Sequence, residues 1–260
     1  MLVTDSSHYA TWLKASGTTS AVIRVRLCYL NRLAVLHPGK SIETFTIDDL
    51  LHFLSRPGWA PETRRSARSA VRSYFRWAYS TGRIAHDLSI KLPAVRIPPT
   101  LPRPTPDDVF QRALARAGHR DQLMILLAAY AGLRRAEISR VHSKDIVGDV
   151  LRVCGKGGRV REIPLHPELQ RRLRDCKGWA FPGKDDGHLS PNRVGTILIR
   201  LLGEGWSGHT LRHRFATRAY AVERDLFAVQ TLLGHSKPET TRRYTAIPNE
   251  SLRTAVLGAA

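Results

Sequence analysis

What this chain has little of narrows it first. Its 260 residues include only three cysteines, Cys28, Cys154 and Cys176, far apart and without a CxxC spacing. That excludes a disulfide framework and fits unpaired thiols in a reducing cytoplasm. Long apolar runs are missing too. The longest, Leu123 to Leu133, has eleven residues and includes Gly132, against the roughly 20 that a bilayer-spanning helix needs. No membrane segment is expected. The opening residues, MLVTDSSHYATW, put Asp5 where a secretory leader carries basic side chains and have no apolar stretch behind them, so export is not expected either. No internal repeat and no low-complexity tract occurs. Acid is scarce: 22 Asp and Glu stand against 41 Lys and Arg, a formal charge of +19.

What is present suits a folded protein. With 42% apolar and 24% charged residues, the chain can bury a core and is too hydrophobic for a disordered basic tail. Its length allows one large or two modest domains. The positive excess is spread along the chain, with 14 basic and 6 acidic side chains in the first hundred residues and 27 and 16 after them. A polyanion that meets the whole protein explains this better than a basic tail would, and nucleic acid is the leading candidate; a merely basic solvated surface is the alternative.

Five prolines, Pro93, Pro98, Pro99, Pro102 and Pro104, punctuate IKLPAVRIPPTLPRPT. Proline fixes φ and removes a donor, so an extended connector is expected over 93–104, between a helical domain at 1–92 and a second domain at 105–260. The fold class expected is mainly α with a small β-hairpin or sheet. Apolar spacing of three and four predicts helices over 5–15, 20–36 and 47–54, the last entered from Thr46. Another runs from Pro61 to Ser80 and carries Arg64, Arg68, Arg72 and Arg76 at successive fourth positions, a stripe that could lie in a major groove and reach phosphates and guanine edges. Solvated surface arginines are the plainer reading.

In the second domain, helices are expected over 106–118, 120–130, 134–141, 167–175, 191–202, 210–222 and 225–233, and another after Ser236 carrying Tyr244. Val150–Cys154 and Val160–Leu165 alternate around the turn GKGGR and predict a hairpin. Four local patterns stand out: AGLRRAE from Ala131, GKGGRVREIPL from Gly155, HTLRH from His209, and LGH from Leu233 followed nine residues on by Tyr244. Singly each is weak. Arg134 reads as a helix-start surface arginine, Lys156 as a loop charge, Tyr244 as a packing aromatic, and His209 with His213 as a metal pair. The metal reading is poor, because position 210 is Thr where HExxH needs Glu, and GKGG lacks the GK[ST] ending of a P-loop.

Together they form an inventory suited to a phosphodiester. Two arginines can grip its non-bridging oxygens and stabilise the charge of a pentacoordinate phosphorus, in place of a metal ion. A turn lysine can protonate a leaving alkoxide, histidines can move protons and hold the phosphate, and a positioned tyrosine can attack to form a phosphotyrosine that stores the energy of the broken bond. No cofactor, metal or ATP is required.

In their order, AGLRRAE, GKGGRVREIPL, HTLRH and LGHSKPETTRRY resemble the motifs of the tyrosine recombinases, the phage integrase family. The resemblance covers the second domain. It implies a catalytic domain in which Arg134 and Arg212 clamp the scissile phosphate, Lys156 is the general acid, His209 acts in proton transfer, His235 supports the phosphate and Tyr244 is the nucleophile. Glu137 resembles the acid that buttresses the first arginine, and Gly-Leu-Arg-x-x-Glu spacing favours Arg134 over Arg135. The first domain resembles, more loosely, the family's helical core-DNA-binding domain. The resemblance further implies double-stranded DNA at core attachment sites as partner, a homotetramer on synapsed DNA passing through a Holliday junction, and a 3′-phosphotyrosine intermediate. It admits a directionality factor and places the protein in the cytoplasm, at a nucleoid or in a phage-infected host. The chain starts almost at once with core-binding helices, so a compact form lacking an arm-binding domain is expected, integrating or excising a phage or mobile element. A chromosome-dimer-resolving recombinase is the alternative, with a type IB topoisomerase or a catalytically silent DNA-binding regulator further behind.

Overall fold

The structure is a computed structural model and describes residues 2–98, 101–155 and 158–234. It divides into two compact units, with the break between Pro99 and Thr100.

The first unit is built from α1 (Leu2–Ala15), α2 (Ser20–Leu36), α3 (Ile47–Leu54) and α4 (Pro61–Ser80). Thr46 and Asp49 make a reciprocal capping box that starts α3, satisfying donors that have no partner in the first turn. Pro61 opens α4 at a position where its missing N–H costs nothing. The buried face of α4 presents Ala67, Val71, Tyr74, Phe75 and Ala78 to Tyr9, Leu13, Leu33 and Phe53. Small residues at 67, 70 and 78 let neighbouring helices approach, while the Tyr9 hydroxyl finds Ser73 Oγ at 2.7 Å.

The second unit is organised around α6 (His119–Tyr130). Every residue of its Leu123–Ala129 run is buried, so the longest apolar stretch of the sequence is a central helix. Around it pack α5 (Asp107–Arg116), α8 (Pro167–Leu173), α9 (Pro191–Leu202) and α10 (Gly208–Glu223), and α11 (Leu226–Leu233) lies on α10. β1 (Ile146–Val147), β2 (Val150–Cys154) and β3 (Val160–Pro164) form an antiparallel sheet in sequence order. Register pairs Leu151 with Ile163 and Val153 with Arg161, so the inward face of β3 carries an arginine beside an isoleucine. A short β4 (Pro182–Asp185) folds back through isolated bridges to His188.

Three helices are clearly shorter than expected, one of them α5, which spans Asp107–Arg116 where 106–118 was expected. The helix expected over 134–141 is a single turn, α7 (Arg135–Ile138), after which Ser139 Oγ donates to the Ala136 carbonyl and the chain bends. The helix expected to 175 stops at Leu173. The helix expected after Ser236 lies outside the described residues. Among the described residues no helix is long and apolar enough to cross a membrane, and the three cysteines are unpaired.

Candidate active site

One buried carboxylate organises the site. Glu137, in α7, is 7% exposed, and the positive φ of Gly132 turns the chain into the Arg134 N-cap that precedes it. Gly132 has a second constraint: a side-chain carbon there would meet the Phe215 ring at 2.5 Å, so only glycine suits both the left-handed backbone and the close approach. Glu137 Oε2 accepts the Arg134 backbone N–H at 2.9 Å and Oε1 accepts Arg134 Nη1 at 2.9 Å. Of the two adjacent arginines, it is Arg134 that reaches the acid; Arg135 lies against Gly195 of α9.

Arg161 of β3 makes the strongest contact with the same carboxylate. Its Nη1 and Nη2 donate to Oε1 and Oε2 at 3.0 and 2.8 Å, a parallel two-pronged pair, and its Nε donates to the Leu232 carbonyl at 2.8 Å. The motif containing Arg161 is evident in the sequence, yet nothing there assigns the residue a role. The available signal is its place in an alternating strand, where an arginine on the inward face requires an acid partner.

Arg212, on α10, is 2% exposed and stands 3.8 Å from Glu137 Oε2. It donates to the carbonyls of Gly132 and Leu233. Arg161 and Arg212 therefore hold two consecutive carbonyls at the C-terminal end of α11, a favourable place for cations. Burial pushes the Glu137 carboxyl up, but hydrogen bonds from Arg161 and the Arg134 backbone, with the charges of both arginines, outweigh it and hold the group below its ordinary range.

His209 lies in the first turn of α10, after the Ser207 cap. Burial, then the charges of Arg212 and Arg134, push it below the usual imidazole range, which places all three in one electrostatic environment. His213 is one turn on; burial, His209 and Arg212 hold it at about 4. Lys156, His235 and Tyr244 lie outside the described residues. Their flanks do not: Gly155, at the base of the hairpin turn, comes so near Glu137 that a side-chain carbon there would lie 3.8 Å from Oε1, and Gly234, which caps the end of α11, is next to His235 in sequence.

The arginine stripe on α4 belongs to the first unit. Arg64 Nε donates to the Leu54 carbonyl at 2.8 Å and Arg68 Nη2 to the Leu92 carbonyl at 2.7 Å, Arg72 is half-buried and Arg76 exposed. Two of the four thus bind the scaffold.

Comparison with known proteins points one way. Residues 107–250 match the model of the phage integrase family. The tyrosine recombinase XerD of Caulobacter vibrioides is 32% identical over 246 residues, covering 83% of this chain and 81% of that protein. An integrase from mycobacterium phage Brujita is 27% identical with a TM-score of 0.51, over 95% of this chain and 88% of that one. A lambda integrase tetramer bound to a Holliday junction shares the fold, with a TM-score of 0.74 at 22% identity, over 91% of this chain and 78% of that one. These matches define an enzyme that breaks and rejoins DNA strands. The chain belongs to the phage integrase family, as a tyrosine recombinase acting in site-specific recombination.

Proposed function

We propose that Tyr244 attacks the scissile phosphorus, its oxygen forming a 3′-phosphotyrosine while the bond to the 5′ oxygen breaks. Lys156 gives its proton to that leaving oxygen. Arg134 and Arg212 hold the non-bridging oxygens through the step, His209 takes up the phenol proton as Tyr244 attacks, and His235 supports the phosphate. Rejoining reverses the sequence with a new 5′-hydroxyl, so neither a metal nor ATP takes part. The observation that carries this reading is the Glu137 cluster. One buried carboxylate fixes Arg134, contacts Arg212, and meets both the base of the hairpin that bears Lys156 and, through Arg161, the end of α11.

The first unit, with its linker, is the core-DNA-binding part on this reading, Arg72 and Arg76 reaching phosphates and Arg64 and Arg68 supporting them. Four protomers on two duplex sites would carry out exchange on this reading; lambda integrase itself is a tetramer when bound to a Holliday junction. The biological role proposed is integration or excision of a phage or mobile element, with a directionality factor as an accessory. Chromosome-dimer resolution is the second reading, favoured by the identity to XerD.

The test is a denaturing gel for a covalent protein–DNA adduct, in EDTA without ATP, on a supercoiled plasmid carrying the element junction. The wild type should form an adduct at a mapped site, and Tyr244→Phe should bind DNA without forming one. Cleavage by Tyr244→Phe would remove the nucleophile assignment, and adducts at random positions would indicate a topoisomerase.

A further inference from the structure

His209 and His213 face each other with Nε2 to Nε2 at 2.9 Å, and a pair of like ring nitrogens at that distance needs one donor and one acceptor. Which is which follows from a third group. The backbone N–H of Arg103 lies 3.0 Å from His213 Nδ1, and a backbone N–H can only donate. His213 Nδ1 therefore keeps its lone pair, and the neutral ring carries its proton on Nε2. That proton points at His209 Nε2, which must accept, so neutral His209 carries its own proton on Nδ1.

We propose that His213 is a positioning residue that fixes the tautomer of His209, and that the last residues of the proline-rich segment set His213 through the Arg103 N–H. The donor is held in place and does not brush past. Thr105 N donates to the Thr210 carbonyl at 3.1 Å, Thr105 Oγ1 to Thr210 Oγ1 at 2.8 Å, and Arg214 Nη1 to the Thr105 carbonyl at 3.4 Å. The Arg103 guanidinium stacks on Trp206 at 4.2 Å. The segment is thus laid along the start of α10. With Nε2 occupied, His209 serves as a hydrogen-bond donor through Nδ1 and takes up a proton only when the pair opens. The nearby charges of Arg212 and Arg134 oppose a further positive charge there. The inference rests on the reading of His209 as a phosphate-facing residue for its catalytic consequence; the tautomer itself does not depend on that reading.

Two readouts test it on the full chain. Long-range proton–nitrogen NMR of protein labelled at histidine nitrogens, with His209 assigned by its loss in His209→Gln, reports which ring nitrogen is protonated without DNA present. Single-turnover cleavage reports the consequence. Arg103→Pro deletes the N–H between two existing prolines, and Arg103→Ala keeps it while removing the guanidinium. Wild type and Arg103→Ala should show His209 protonated on Nδ1. Arg103→Pro and His213→Phe should show the Nε2–H form and cut cleavage by about tenfold to a hundredfold, below the full contribution of an acid–base group. His209 protonated on Nε2 in the wild type would overturn the proposal, as would Arg103→Pro behaving like Arg103→Ala. A tautomer as stated with cleavage unchanged in Arg103→Pro would overturn the catalytic consequence, whereas loss of adducts by every protein tested, with the tautomer as stated, would point to failure of the recombinase reading instead.

Discussion

The two arginine-rich regions of the molecule hold their guanidinium groups in different ways. Around Glu137 in the second unit, Arg134 and Arg161 bind one buried carboxylate and Arg212 is almost fully enclosed. On α4 in the first unit, Arg64 and Arg68 donate to main-chain carbonyls of their own unit, and Arg76 extends into solvent. Acid-held arginines have positions set before any ligand arrives, which chemistry at a single phosphorus requires. Carbonyl-held arginines cement a fold, and exposed ones can follow a backbone of many phosphates with little geometric demand.

Removing either arginine proposed to clamp the phosphate should break the comparison most severely. Arg134→Ala and Arg212→Ala are each expected to slow single-turnover cleavage on the order of 10²–10³-fold, about the loss seen for a missing oxyanion donor. A loss no larger than that from Arg76→Ala would mean that fixed position confers nothing. Glu137→Gln should cost about 3 kcal/mol in urea unfolding, because it leaves Arg161 buried without its charge partner. The wild-type carboxyl is held below its ordinary range, so its contribution is fully present above the ordinary glutamate pKa and lost as pH falls through the lowered folded value. Wild-type stability should therefore decline on strong acidification more steeply than that of Glu137→Gln. Arg161→Lys should destabilise by about 1–2 kcal/mol, since an ammonium cannot reproduce the two-pronged bond. The smallest effect should come from α4. Arg76→Ala should weaken DNA binding alike for all sequences and reduce the salt slope by about 1, while Arg68→Ala should lower thermal stability instead. Equal salt slopes for the two variants would erase the distinction drawn within the stripe.

Most helices were legible because their apolar spacing and start signals agree: Thr46 and Pro61 each mark an observed first turn. The hairpin was legible because its two strands alternate about a glycine turn. β1 was not, since two residues are too few to show alternation. Arg134, His209 and Arg212 could be singled out by motif order, and the structure brings the two arginines to one acid, with His209 in the field of their charges. Arg161 passed unassigned because its significance comes from register, and register appears only when Val153 is known to lie opposite. The Arg103 contact was equally hidden: it joins residues 110 apart in sequence, through a main-chain donor that no side-chain pattern encodes.

Around Glu137, among the described residues, the protein gathers three guanidinium groups within 3.8 Å of one carboxylate. Like charges confined together raise the free energy of the protein without DNA. On the proposed reading, the DNA phosphate is the counter-ion that completes the cluster as well as the group that is cut. Occupancy and folding are then thermodynamically linked, and a site that binds its phosphate tightly is also a site that holds its own domain together.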